Sequence, residues 1–238
     1  MSALPPDTDT RPVEAPPAAA GRVPGPPVPL GTGEPAPAAV RRRPPPGERR
    51  VQILQALASM LEQPGAERIT TAALAARLQV SEAALYRHFA SKAQMFEGLI
   101  DFIEQSVFTL VNQIMERPTE QPGPADGAQR AARIAALVLQ FGERNPGMVR
   151  VMVGDALVLE NERLLQRMNQ FFDRIESSLR LCLRPAADAA GSAAPTVDAQ
   201  VRAAALCDLV RGRLQRFARS GFRRLPTEQL DASLQLLV

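Results

Sequence analysis

Residues Ile69–Lys92, ITTAALAARLQVSEAALYRHFASK, read as two short helices around a tight turn, with a third helix opening at the end. Thr71 precedes the apolar-periodic residues, and its hydroxyl can accept from a free first-turn amide, so it is the expected N-cap. Leu74 and Leu78 share one face of that helix, and Ala75 is small enough to let a second helix cross closely. Gln79 and Val80 form the turn. Ser81 then caps a second helix running through Glu82, Leu85, Tyr86, Arg87, His88 and Phe89. Leu74, Leu78, Val80 and Leu85 supply the small core of a helix-turn-helix, a unit that places its second helix in the major groove of DNA.

The only Tyr, His and Lys of the 238 residues are Tyr86, His88 and Lys92. All three are phosphate-contacting types, gathered at the end of the expected recognition helix and the start of the next. Charge points the same way. From Arg41 to Lys92 there are nine basic and four acidic residues, whereas the first 40 residues carry two and four, and the remainder 17 of each. The positive excess of this chain, net +3, therefore sits on the helix-turn-helix and the segment leading into it.

Composition favours an all-α fold. Hydrophobic residues make up 45% of the chain, but aromatics only 4% and Trp is absent, which argues against a sandwich or barrel. Cys182 and Cys207 lie in helical apolar patterns without a Cys-x-x-Cys or His neighbour, so two buried thiols are expected in place of a disulfide or metal site. A Pro-rich, acid-bearing N-terminus does not fit a signal peptide, and no apolar run approaches the ~20 residues of a membrane span. A cytoplasmic protein is expected. There is no phosphate-cradling Gly-rich loop and no metal-ligand pair, and the lone His is already placed in the DNA-facing helix. No enzymatic activity, cofactor or metal is expected.

Three domains follow. Residues 1–47 form a Pro/Ala-rich arm, with 14 of the 22 prolines before residue 47, too poor in large apolar groups to offset its ordering entropy. Arg41, Arg42 and Arg43 at its end serve either as a basic arm along DNA or as a solvated linker cluster. Residues 48–92 form the DNA-binding domain, its first helix (48–63) packing through Val51, Leu54, Leu57 or Ala58, and Leu61 before Pro64 and Gly65 stop it.

Residues 93–238 form an all-helical dimerisation and partner-binding domain. Ser91 and Gln94 have capping-box spacing and start a helix to about Glu116, with Phe96, Leu99 or Ile100, Ile103, Val107, Leu110 and Ile114 inward and Phe102 on the flank. A loop over Pro118–Gly127 is followed by helices at 128–145, 148–157, 160–184 and 197–220, with a second loop over Pro185–Thr196. The last two helices have apolar faces wider than one neighbour needs, which fits a homodimer through a four-helix bundle. Six arginines between Arg211 and Arg224, including Arg213, Arg216, Arg219 and Arg223 along one side, read as a solvated outer face.

Taken together, the Arg68–Ala72 string RITTA, Val80–Phe89 (VSEAALYRHF), Ser91-Lys92, Phe141–Gly147 (FGERNPG), Arg163-Leu164 and Ile175-Glu176 resemble the TetR family and, within it, the nucleoid occlusion factors. The resemblance runs from about Arg49 to Leu237. It implies a homodimer, single or paired, on palindromic double-stranded DNA, which when bound antagonises polymers of the division protein FtsZ and keeps septa off the chromosome. Carried over residue by residue, Thr70, Thr71, Ser81, Glu82, Ala83, Tyr86, Arg87, His88 and Lys92 would contact DNA. Phe102, Val138, Gln140, Arg144 and Asn145 would take the FtsZ C-terminal tail in a groove between the fourth and fifth helices. For Arg144 and Asn145, capping of the fifth helix before Pro146 stays open beside that role. The chain departs from the pattern at Gln140 (a Gly there), Leu110 (an Arg) and Gln79 (a turn Gly), and the Pro-rich arm has no counterpart. The other function such a fold serves is transcriptional repression released by a small inducer. A domain after Lys92 without Trp, Tyr or His gives an inducer few polar aromatic groups to converge on.

Overall fold

The computed structural model describes residues 47–63, 69–117 and 124–237. The Pro-rich arm before residue 47, Arg41–Arg43, the Pro64-Gly65 stop and most of the 118–127 loop lie outside them. The regular elements among the described residues are all helical: α1 (Glu48–Leu61), α2 (Thr71–Arg77), α3 (Glu82–Tyr86), α4 (Lys92–Glu116), α5 (Pro124–Arg144), α6 (Pro146–Met152), a 3-10 turn (Asp155–Leu157), α7 (Glu162–Ala189), α8 (Pro195–Arg219) and α9 (Leu230–Gln235).

α4 is the spine. It leaves the helix-turn-helix at Lys92 and runs 25 residues into the core, burying Phe96, Leu99, Ile100, Ile103, Val107 and Val111 on one stripe. Leu110, expected inward, is exposed; the stripe steps from Val107 to Val111 instead, and Phe108 joins the core. On α1 the buried positions are Ile53, Leu57 and Leu61, a strict four-residue spacing that leaves Val51 outside. α5 and α7 close over α4, and α8 packs on α7 and α5, with α7 and α8 the most extensively packed pair. At their centre Phe108 meets Phe171 edge-on at 5.4 Å and Phe171 meets Phe172 at 5.1 Å.

Three boundaries differ most from the sequence reading. α5 begins at Pro124, so Asp126 and Gly127 are helical. Gly127 lies where a side chain would strike the Cys182 carbonyl, which lets α5 and α7 approach closely. The expected 148–157 helix is instead α6, with Pro146 in its first turn, plus a separate 3-10 turn that starts after Gly154. Finally, α7 continues through Pro185 to Ala189. Pro185 and Leu181, whose carbonyl loses its partner, are both exposed, so water can serve that carbonyl. Alanines follow the proline, and Arg184 pairs with Asp188 across it at 3.0 Å. The stop is Gly191 at φ +69, whose amide closes onto the Asp188 carbonyl at 3.1 Å.

Arg213 contradicts the expectation of a solvated arginine face. It is buried, and donates to the Pro226 carbonyl (2.9 Å), the Glu228 carbonyl (2.7 Å) and the Ser233 hydroxyl (2.5 Å). That bond set ties the segment after α8, including α9, to the core. Burial and the neighbouring Arg216 lower its pKa from the ordinary value. Both cysteines are free and buried, and burial pushes the Cys207 thiol up to about 11.

Candidate nucleic-acid interface

The turn between α2 and α3 is a Schellman motif. The Val80 amide reaches the Ala75 carbonyl at 3.0 Å and the Gln79 amide the Ala76 carbonyl at 3.1 Å, which forces Gln79 to φ +54. A non-glycine residue there costs ~1 kcal/mol, and Leu78 and Val80 on either side are partly buried against the core. The N-cap of α2 is Thr70, not Thr71: the Thr70 hydroxyl accepts from the Ala73 amide at 3.1 Å. Thr71, one residue inside, donates instead to the Glu82 carboxylate at 2.6 Å and links α2 to α3. Ser81 caps α3 through the Ala84 amide at 3.2 Å, as expected from the sequence.

α3 is shorter than its apolar pattern suggests. It ends at Tyr86, and Arg87 and His88 form the turn before buried Phe89. Ser81, Glu82, Ala83, Tyr86, Arg87 and His88 are all exposed on this element, so one short surface presents six of the nine expected DNA contacts. Arg50 on α1 braces its end, donating to the His88 carbonyl at 2.7 Å with its guanidinium 4.2 Å from the centre of the Phe89 ring. Sequence reasoning missed Arg50, because the contact spans 38 residues.

Ser91 caps α4 by accepting from the Gln94 amide at 3.2 Å, while the Gln94 side chain reaches back to the Ala90 amide at 2.8 Å. Lys92 follows at the first helical position but is not free. It is ion-paired with Glu160, which lies just before α7, and its ammonium sits 5.7 Å from the Phe96 ring centre. No sequence pattern placed Glu160 here.

The residues assigned by resemblance to a peptide groove fall on α4 and α5, and one of them cannot serve as drawn. Val138 is fully buried. The exposed apolar group is Phe102, 46% accessible, with its ring centre 6.4 Å from that of half-buried Phe141. Gln140 and Arg144 are exposed nearby in sequence, and Asn145 donates to the Phe141 carbonyl at 2.8 Å. Asn145 therefore finishes α5 by holding its last turn, as the capping alternative foresaw.

Much of the FGERNPG string is architectural. A Cβ on Gly142 would lie 2.5 Å from a Leu214 methyl, and one on Gly147 would lie 2.0 Å from the Ala58 carbonyl oxygen of α1. Glu143 accepts from the Thr227 hydroxyl, and Pro146 opens α6. Arg144 alone of the string is an exposed charge.

Residues 53–99 match the bacterial regulatory proteins of the tetR family, and residues 126–238 match the SlmA-like, tetracyclin repressor-like C-terminal domain. The chain is 51% identical over 190 residues to the nucleoid occlusion factor SlmA of Photobacterium profundum, covering 79% of this chain and 93% of that one. The SlmA of Vibrio cholerae serotype O1 gives the same identity and coverage. Among solved structures, the TetR family transcriptional regulator PfmR of Thermus thermophilus superposes with a TM-score of 0.63 at 20% identity, over 78% of this chain and 96% of that chain. FadR of Bacillus subtilis, in complex with stearoyl-CoA, gives 0.61 at 14% identity over 79% and 97%. These two likenesses carry the fold alone.

Proposed function

This chain belongs to the SlmA family of TetR-type helix-turn-helix proteins, and from that premise we propose that it is a nucleoid occlusion factor acting as a homodimer. Two α3 elements related by a two-fold read successive major grooves of a palindromic site. Bound to DNA, the dimer antagonises FtsZ polymers, so septa do not form over the chromosome. A cytoplasmic, nucleoid-associated location follows from that role, and among the described residues no helix is long and apolar enough to cross a membrane.

The observation that carries the partner half is the surface of α4 and α5. Exposed Phe102 beside Phe141, with Arg144 one turn further along α5, suits a peptide that mixes apolar and acidic groups. Support for the dimer comes from the α7–α8 hairpin. Leu181, Val197 and Val201 stand about 60% exposed near its closed end, too much apolar surface to leave in water. Light scattering at micromolar concentration should return twice the chain mass; a clean monomer would remove the dimer.

Arg144→Ala tests the groove. With its carboxylate partner lost, tail affinity should fall about tenfold, the weight of one charge-assisted hydrogen bond, while DNA binding and the dimer stay intact. Undiminished affinity for a synthetic FtsZ-tail peptide would leave Arg144 with no part in binding.

A further inference from the structure

Lys92 is the only lysine in the chain, and it stands at the first position of α4, where free amides and a positive helix end favour phosphate. The structure gives it a different anion. Glu160 holds the ammonium, and the carboxylate is only 11% exposed against 31% for the lysine side chain. Glu160 is itself fixed: its amide bonds the Leu157 carbonyl at 3.0 Å, and the next residue, Asn161, caps α7 by accepting from the Arg163 amide at 3.0 Å.

The pair is also the lowest rung of a ladder between α4 and α7. Above it Arg163 faces Glu97 at 3.9 Å, and Arg167 bonds Asp101 and Glu104 at 2.6 Å each. In those upper rungs the acid is on α4 and the arginine on α7. Only the lowest rung is reversed, with the cation at the DNA-facing end of α4. The Arg163–Glu97 rung is exposed enough to contribute little, while Arg167 and Glu104 are partly covered. The lowest differs because one partner is nearly buried and the other is needed elsewhere.

We propose that Glu160 is a built-in competitor of DNA: its carboxylate occupies Lys92 in the free protein, and a backbone phosphate must displace it. This rests on the DNA-binding reading and adds a residue, outside the helix-turn-helix, that sets DNA affinity. Displacement leaves the Glu160 carboxylate to take up a cation, which offsets the counterion that the phosphate gives up. A lysine–phosphate contact normally contributes about 0.9 to the salt slope. In the native protein Lys92 contributes less than that. Coupling is reciprocal, so whatever draws Glu160 from Lys92 raises DNA affinity by the same factor that DNA loosens the entry to α7.

The test is a double-mutant cycle on a short mixed-sequence DNA duplex, titrated over a range of salt concentrations. Glu160→Gln should tighten binding about three- to tenfold, the range for freeing one partly buried charge, and steepen the slope. Lys92→Ala should flatten the slope by about 0.9 in the Glu160→Gln background, and by clearly less in the native one. Glu160→Asp, which withdraws the carboxylate by one methylene, should act in the same direction more weakly and guards against misfolding of the first variant. Native binding with no change in either Glu160 variant overturns the inference alone. So does an equal gain from Glu160→Gln in the presence and absence of Lys92, which would mark a general charge effect. Failure of the native protein to bind any duplex would overturn the DNA-binding reading as well.

Discussion

Gly147→Ala is expected to destabilise the protein by about 2–4 kcal/mol, lowering Tm by roughly 5–15 °C. The reason is local and steric. The added methyl would sit 2.0 Å from the Ala58 carbonyl oxygen and 2.9 Å from its carbon. Both are backbone atoms of α1, so no side chain can rotate away and the helix itself must shift. α1 also carries Arg50, which braces the end of the recognition helix, so DNA affinity should fall together with stability. Gly142→Ala is the matched control. Its methyl meets the ends of the Leu214 and Val149 side chains and no backbone atom, so a loss nearer 1 kcal/mol is expected. Thermal melting of the two variants decides it: equal and small losses would mean that α1 and α6 are not held in this close contact.

The architectural part of FGERNPG shows what the sequence made legible and what it did not. The string forms a joint among α1, α5, α6 and α8, yet nothing in its residues says what Gly142 and Gly147 press against. Local rules worked where the partner is near in the chain. The caps Ser81 and Ser91, the start and end of α4 and the strain at Gln79 all follow from contacts within a few residues. They failed where two local signals compete. Thr70 and Thr71 are equally good caps by residue type; Thr70 takes the Ala73 amide, and Thr71 bonds Glu82. Pro185 looked like a stop, but exposure of that face let the helix run on to Ala189, just before Gly191. Long-range pairs were invisible: Arg50 with His88, Lys92 with Glu160, and Arg213 with the carbonyls beyond α8.

Arg213→Met should cost about 3 kcal/mol, because it keeps the apolar stem but leaves the Pro226 and Glu228 carbonyls and the Ser233 hydroxyl without a donor. The effect should be confined in space. Amides of α9 should exchange hydrogen much faster, and protease should cut between Gly221 and Gln229, while the α4 core amides stay protected. Arg216 lies three residues on, and its side chain is exposed. Arg216→Met should change stability by no more than about 0.5 kcal/mol. Similar losses in the two variants would mean that Arg213 contributes charge and not a clamp.

The helix-turn-helix by itself specifies only a DNA reader. In the function proposed above, the second surface, Phe102 and Phe141 beside Arg144, would couple that reader to division control. FtsZ polymer mass, followed by sedimentation with and without this protein and with and without genomic DNA fragments, tests that most directly. Loss of polymer is expected when protein and DNA are both present, and much less with either alone. Polymer unchanged by the DNA-bound protein, with DNA released by a small molecule instead, would contradict it and assign the chain to inducer-controlled repression.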